Sequence, residues 1–295
     1  MQEENQQPLL TISMPVYNGG RLLRPAILSL VNQTFTNWEL LIIDDGSTDG
    51  SLEFLQEIHD ARIRVTSDGL NKGLAARLNE AIDLARGHYF ARMDQDDISY
   101  PERFARQVAA LENDSNLDLV GVRSIAISQH NQIVGYFPYA LNHEDICAKP
   151  WRGFYMVHPT WMGRTEWFRR HRYATPGPYL CEDQELLLRS HMSSRFAVLD
   201  EILFAYRVRT QIVWRRMWAT RTSVLKVQLR YFIRTKQIGY ALLAIFAFGA
   251  RVVVDGLDVL IQTFRSTPRT RYQAVTDSNT ISKWRAVLTS VSNAC

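Results

Sequence analysis

Residues 38–51 read WELLIIDDGSTDGS: an almost wholly apolar run passes straight into an acidic turn broken by Gly46 and Gly50. An apolar run of this length, bounded by turn residues, predicts a strand buried on both faces, the kind that parallel sheets contain. Upstream, residues 9–16 (LLTISMPV) form a second such run, closed by Pro15. Residues 22–31 then repeat apolar side chains at helical spacing, with Pro25 tolerable in the first turn. Downstream, residues 51–58 read as a helix and 63–66 as a brief strand. Residues 74–85 predict a helix with Leu74, Leu78, Ile82 and Ala85 on one face and Gly87 as its stop. Residues 88–93 (HYFARM) predict another strand. Pro101 opens a helix to about residue 112, with Ser99 and Glu102 at capping-box spacing, and residues 117–122 are a further apolar run. Strands alternating with helices in this way imply an α/β fold, a mostly parallel sheet sandwiched by helices. From 125 to 200 the rhythm loosens into short strands, loops and one good helix at 184–191.

The chain has 295 residues, of which 46% are hydrophobic and 22% charged, so it can bury a full core and is neither disordered nor fibrous. Three cysteines, Cys147, Cys181 and Cys295, without C-x-x-C spacing exclude a disulfide framework and a zinc ribbon, and fit a reducing compartment. Cys181 reads as a small apolar filler rather than a nucleophile. The polar start, residues 1–8, predicts no cleavable secretory signal.

Ligands of open α/β sheets sit at the carboxyl ends of strands, and two strand ends here are acidic. The first carries Asp44-Asp45-Gly46-Ser47-Thr48-Asp49, the second Asp94-Gln95-Asp96-Asp97. The first cluster also suits a turn in which Ser47, Thr48 or Asp49 caps the helix at 51 and Gly46 takes positive φ. In the second, Asp94, Asp96 and Asp97 offer hard oxygen ligands for Mg²⁺ or Mn²⁺, with positions left for a diphosphate; a solvated acidic loop is the alternative. No G-x-x-x-x-G-K-[ST], G-x-G-x-x-G or G-x-S-x-G occurs and no calcium-loop spacing fits, which removes P-loop, dinucleotide and serine-hydrolase readings.

The succession Pro15-Val16-Tyr17-Asn18, Gln33-Thr34-Phe35, DDGSTDGS, Asn71-Lys72-Gly73-Leu74, ARMDQDD, Val157-His158-Pro159-Thr160 and Glu182-Asp183-Gln184-Glu185-Leu186 resembles the family 2 glycosyltransferases of the GT-A fold over residues 8–211. The resemblance implies a nucleotide pocket along Pro15, Val16, Tyr17 and Asn18, with Asp45 accepting a hydrogen bond from the base. It implies a divalent metal, Mn²⁺ or Mg²⁺, held by Asp94 and Asp96 with Asp97 adjacent, and Asp183 as the general base of an inverting displacement. Asn71 and Lys72 would lie near the diphosphate. Glu182-Asp183 also stands where acids cap a helix, and His158 reads as packed. Where many relatives have Tyr-Arg-x-His, this chain has Tyr206-Arg207-Val208-Arg209, so Arg209 would have to bind phosphate oxygens directly. The Q-x-x-R-W signature of processive synthases is absent, Gln211 to Arg215 having Trp before Arg, which implies addition of one sugar per encounter. A catalytically silent nucleotide-sugar-binding module and a nucleotidyltransferase are the alternatives.

The net charge of +4 hides an asymmetry: residues 202–254 hold ten Arg or Lys and no acid, leaving −6 for the rest. As a helix, 212–234 would gather Trp214, Trp218, Leu225, Leu229 and Phe232 on one stripe beside a cationic face, suited to an anionic membrane surface. Residues 238–250 are uncharged and mostly apolar but short of a span, and Asp255 and Asp258 discourage extension. The expected organisation is a catalytic domain at 8–211, a membrane-association segment at 212–265 and a polar tail at 266–295. The expected place is the cytoplasmic face of the plasma membrane, peripheral or monotopic rather than spanning. Expected partners are a nucleotide diphosphate sugar, a lipid-linked or glycan acceptor and an anionic membrane surface; no nucleic-acid motif accompanies the basic segment.

Overall fold

The computed structural model describes residues 7–178, 180–208, 214–264 and 272–293, with side chains for all of these except 258–264 and 293. The chain opens with strand β1 (Leu10–Val16), helix α1 (Leu23–Val31) and strand β2 (Trp38–Asp44), followed by α2 (Ser51–Gln56), β3 (Ile63–Ser67), α3 (Leu74–Leu84) and β4 (Tyr89–Arg92). Each strand is followed by a helix that crosses back over the sheet, so β3, β2, β1 and β4 lie side by side and parallel. Every residue of β2 is buried, as its unbroken apolar run requires of a strand covered on both faces.

Beyond β4 the regular alternation of one strand and one helix stops and the pairing changes. β5 (Ile98–Ser99), α4 (Arg103–Asn113), β6 (Leu119–Ile127), β7 (Ile133–Tyr136), α5 (His143–Cys147), β8 (Met162–Arg164), α6 (Thr165–Arg170), α7 (Glu182–Ser190) and β9 (Phe196–Arg207) complete a nine-stranded sheet ordered β3-β2-β1-β4-β8-β6-β9-β5, with β7 on β6. β8 runs antiparallel to both β4 and β6, β7 antiparallel to β6 and β5 antiparallel to β9, while β6 and β9 are parallel. The sheet is therefore mixed rather than uniformly parallel: four pairings are parallel, and the four antiparallel ones all involve the short strands β5, β7 and β8. β9 is a twelve-residue strand where the sequence predicted only loosened structure.

The capping box expected at Ser99 and Glu102 does not form. Ser99 is buried in β5, and no side chain of the Glu102 cap bonds the start of α4. Gln33 does that work from a distance: its Oε1 accepts the Phe104 N–H at 3.2 Å, and its Nε2 donates to Ser99 Oγ and to the Tyr100 carbonyl.

Three elements follow the sheet: α8 (Trp214–Arg234), α9 (Ile238–Phe264) and α10 (Ser278–Asn293). The root of the α8–α9 hairpin belongs to the main core, for Phe232, Ala241 and Ala244 are buried in one cluster with Ile43, Leu78, Phe90 and Leu187. The far end of the expected stripe stays open, Trp214 and Trp218 being 42% and 44% exposed. α9 runs past the charges expected to end it because the Asp255 carboxylate accepts from Arg221 Nε at 3.0 Å, a partner from α8 that offsets burial of the acid. Over Ile238–Leu257 this helix is long and apolar enough to cross a membrane, with a mean hydropathy of 1.8, and little of that stretch is buried. The expected polar tail contains α10, whose Trp284, Leu288 and Val291 are buried with Ile98, Ile125 and Ala205.

Candidate active site

The chain leaves β1, β2 and β4 at the same edge of the parallel sheet, and the side chains beyond these strands meet there. Pro15, Val16, Tyr17, Asp45, Asp94 and Asp96 line one cavity of about 200 Å³ together with Leu74 and Gln95. Residues nearly eighty positions apart in sequence thus share one wall, as a switch in sheet order provides. Asn18, Asn71, Lys72 and Asp97 stand outside that lining. Arg209 lies outside the described residues.

The DDGSTDGS turn builds one side of the cavity. Gly46 takes φ +77°, and a Cβ there would sit 3.1 Å from the backbone of Leu70, so the turn needs glycine on both counts. The N-cap position is Gly50, and of the turn's acids and hydroxyls Asp49 reaches the start of α2, its Oδ1 accepting the Ser51 N–H at 3.1 Å. These side chains also hold the neighbouring loop: Ser47 Oγ accepts from Asn18 N–H, Asp49 Oδ2 from Gly20 N–H, and Ser51 Oγ from Gly19 N–H, at 2.9–3.0 Å. Asn18 answers by accepting Thr48 N–H on its Oδ1 at 2.8 Å.

Asp45 is buried and accepts from its own chain: from Lys72 N–H at 2.7 Å and Arg77 Nε at 2.8 Å on Oδ1, and from Gly73 N–H at 3.0 Å on Oδ2. Arg77, fully buried, also donates to Asp68 and Glu80. The Lys72 ammonium pairs with Asp68 rather than facing the cavity. Arg77 carried no signal at the level of motifs, since an arginine within a helical pattern reads as a surface residue.

The ARMDQDD segment forms the opposite wall. Gln95 clamps the Tyr17 backbone from both sides, accepting its N–H at 2.8 Å and donating to its carbonyl at 3.0 Å. Asp94 is partly exposed and accepts from Arg92 Nη2 at 2.7 Å. Asp97 points away from the cavity lining. It is buried, accepts the Arg207 N–H on Oδ1 at 2.7 Å, and is held well above the usual carboxylate range by burial and by Asp94 and Asp96. Arg207 braces the same turn, donating from Nε to the Asp96 carbonyl and from Nη1 to the Ser128 carbonyl, both at 2.7 Å. The Arg207 of the Tyr-Arg-x-Arg stretch is therefore a strut of the acidic turn.

Asp183 enters from elsewhere in the chain, in the first turn of α7. Burial pushes its carboxyl above the ordinary aspartate range, against hydrogen bonding from Gln184 and the Arg92 charge, which lower it. Neighbouring Glu182 is raised for the same first reason and by Asp183 itself, and Arg92 again opposes the shift. Arg92 thus pairs with Asp94 at the end of β4, and its charge also acts on Glu182 and Asp183 at the start of α7. His158 is packed as expected: its Nε2 lies 2.7 Å from the Tyr173 hydroxyl, its ring 4.4 Å from that of Trp161, and burial holds it well below the usual histidine range. Burial likewise lifts the Cys181 thiol to about 11, which leaves it inert.

A divalent cation would find two carboxylates on the cavity wall, Asp94 and Asp96. Among the described residues no three His, Cys, Asp or Glu side chains converge as a complete metal site. Two carboxylates with the remaining positions left to diphosphate oxygens and water fit Mg²⁺- or Mn²⁺-type binding at a nucleotide site.

A cavity with paired aspartates at the carboxyl ends of parallel strands places the molecule among nucleotide-dependent group-transfer folds; Asp183 stands outside that lining. Residues 11–172 match Glycosyl transferase family 2, and with more than half its length matched the chain belongs to that family. It is 38% identical over 128 residues to the putative glycosyltransferase EpsE of Bacillus subtilis, covering 42% of this chain and 46% of EpsE. It is 33% identical over 129 residues to WfgD of Escherichia coli, a UDP-Glc:alpha-D-GlcNAc-diphosphoundecaprenol beta-1,3-glucosyltransferase, covering 44% of this chain and 50% of WfgD. The matched stretches thus span about half the length of these curated relatives. The fold is shared with mannosyltransferase PcManGT from Pyrobaculum calidifontis, solved with GDP-Man and Mn²⁺: TM-score 0.55 at 15% identity, covering 98% of this chain and 87% of that one.

Proposed function

We propose that this protein is an inverting, non-processive glycosyltransferase of GT-A type that moves a sugar from a nucleoside diphosphate donor to a lipid-linked glycan acceptor. Residues 8–211 carry the transfer chemistry and 212–265 the membrane contact, with α10 packed back on the catalytic body. The observation that carries this reading is the cavity at the strand ends that gathers Asp45, Asp94 and Asp96, with the buried Arg92 holding Asp94.

In this reading the nucleotide lies along Pro15, Val16, Tyr17 and Asn18, and Asp45 holds the loop of Asn71, Lys72 and Gly73 in place beside it. Asp94 and Asp96 hold the divalent cation, which when bound offsets charge growing on the departing diphosphate. Asp183 takes the proton of the acceptor hydroxyl as that oxygen forms its bond to the anomeric carbon; the bond to the diphosphate oxygen breaks on the opposite face. A carboxyl raised by burial is the stronger base, and helix α7 fixes its direction. Arg209 contributes a cation to the diphosphate.

The membrane contact rests on the cationic stretch without acids, on the exposed Trp214 and Trp218, and on the open apolar face of α9, including Leu242, Phe246 and Val253 at 63%, 76% and 61%. Because α8 and the root of α9 share the main core, the helix lies in the plane of the cytoplasmic leaflet rather than across the bilayer. WfgD, a UDP-glucose enzyme acting on a diphosphate-linked lipid, makes UDP-sugars and sugar-diphosphate lipids the first substrates to try.

The test is a thermal-shift series with UDP-, GDP- and dTDP-sugars, each with Mn²⁺ and with EDTA, followed by transfer from the responding donor to N-acetylglucosamine-diphosphate lipid. A metal-dependent shift and a product of inverted anomeric configuration are expected. Retained configuration, or no shift with any donor by folded protein, overturns the reading.

A further inference from the structure

A second concavity lies away from the donor cleft, between α8, α9 and the loop 149–154. Its volume is about 570 Å³, and its walls are apolar side chains including Val224, Leu225, Leu243, Ala244 and Phe248. Cations stand on the same lining: Lys149, Arg152, Arg221 and Arg251. Arg221 is taken by Asp255. Among the described residues the other three have no carboxylate within ion-pair distance. An apolar chamber with unneutralised cations is matched by a ligand with one long apolar chain and an anionic head. Phe246 and Val254 both line the chamber and are 76% and 52% exposed, so its apolar side opens on the face assigned above to the membrane.

The loop that carries the cations is tied to the catalytic helix. The Phe154 N–H donates to Gln184 Oε1 at 2.9 Å, and Gln184 Nε2 lies 3.2 Å from Asp183 Oδ2. Gly153 makes this approach possible: it takes φ +98°, and a Cβ would fall 2.7 Å from Gln184 Oε1. On its other side the loop is pinned to α8, where Gln228 Nε2 donates to the Pro150 carbonyl at 3.0 Å, and to α9, where Trp151 stacks on Tyr240 with ring centroids 5.0 Å apart. A head group held by Lys149 and Arg152 is thereby one short loop from the residue that receives the acceptor's proton.

We propose that this chamber seats the carrier end of the acceptor, a lipid of polyprenyl type bearing a diphosphate, with the chain among the α8 and α9 side chains and the diphosphate on Lys149, Arg152 and Arg251. The proposal rests on the lipid-linked acceptor reading and adds to it a site and a head-group chemistry.

The test is flotation of the full chain with phosphatidylcholine vesicles containing undecaprenyl diphosphate, phosphatidylglycerol at equal charge, or neither. Wild type is expected to prefer the diphosphate lipid. Lys149→Gln with Arg152→Gln is expected to remove that preference, by roughly fivefold for each cation. Lys226→Gln with Arg230→Gln, on a different cavity of α8, is expected to keep it. Equal losses in the two double variants, or no preference over phosphatidylglycerol, overturn the proposal. The donor thermal shift is run on the same preparations. A donor response without lipid preference sinks the chamber alone, whereas lipid preference without a donor response supports the chamber and sinks the transferase reading.

Discussion

Arg92 donates from Nη2 to Asp94 Oδ1 at 2.7 Å from a side chain that is 2% exposed, whereas the aspartate it holds is 26% exposed. A buried cation thus aims a carboxylate into the cleft and at the same time opposes the burial that raises Glu182 and Asp183 in α7. Removing one partner of such an arrangement exposes what the other was compensating.

Arg92→Met is therefore expected to move the acid limb of kcat/KM to higher pH. The positive charge lowers both α7 carboxyls, so its loss raises them further and more of the base is protonated at a given pH. Arg92→Lys retains the charge and moves the limb less. A pH–rate profile on variants shown by circular dichroism to be folded decides it; an unshifted limb removes Arg92 from this role.

Asp183→Asn is expected to cut transfer by about 10²–10⁴-fold while the donor dissociation constant stays the same. In wild type the rate falls as pH drops through the raised Asp183 value, because only the carboxylate can accept the proton. Comparing kcat with donor affinity by calorimetry separates loss of the base from loss of the fold.

Asp94→Asn and Asp96→Asn are expected to abolish the metal-dependent part of donor stabilisation. In wild type, donor at a hundred times its dissociation constant adds about 2.7 kcal/mol, and EDTA removes the cation's share. Asp97→Asn behaves differently. The Asp97 side chain is buried on the Arg207 N–H and outside the cavity lining, so the substitution leaves the metal response in place, which the same thermal-shift series reads.

Arg77→Met is expected to cost about 3–5 kcal/mol of stability, the usual loss when a buried pair is broken from one side, since Asp45 would remain buried without its guanidinium. Asp68 adds a pH signature. Arg77 and Lys72 hold its carboxyl well below the usual range, so its contribution is present above the unfolded value and lost as pH falls toward the folded one. Urea unfolding across that acid window shows a steeper dependence in wild type than in the variant.

Trp284→Ala is expected to destabilise the whole protein by about 3–5 kcal/mol. The ring is buried in the cluster of β5, β6 and β9, 5.1 Å from Tyr100, and its Nε1 donates to the Ile202 carbonyl at 3.2 Å. A single, earlier unfolding transition is the expected result; loss of α10 alone would leave the main transition in place.

What the sequence determined by itself was local in origin. Apolar runs closed by turn residues announced β1, β2 and β4, and helical spacing announced α1 and α3, because period and punctuation act within a few residues. Asp94, Asp96 and Asp45 could be named because a strand end is a known place for ligands, and Asp183 because the succession of motifs resembles a family. The tertiary structure decided what depended on partners far along the chain. Asp97 turned inward because Arg207 waited there to bond it. The start of α4 was bonded by Gln33 rather than by its own neighbour, and Gln95 became a clamp only because Tyr17 lay opposite. α9 outran its acids because Arg221 on α8 offsets the burial of Asp255. The tail became core because Trp284 found an apolar patch on β5 and β9. A charge or a polar side chain is settled by whatever compensates it once water is removed, and that compensation is a property of the folded neighbourhood.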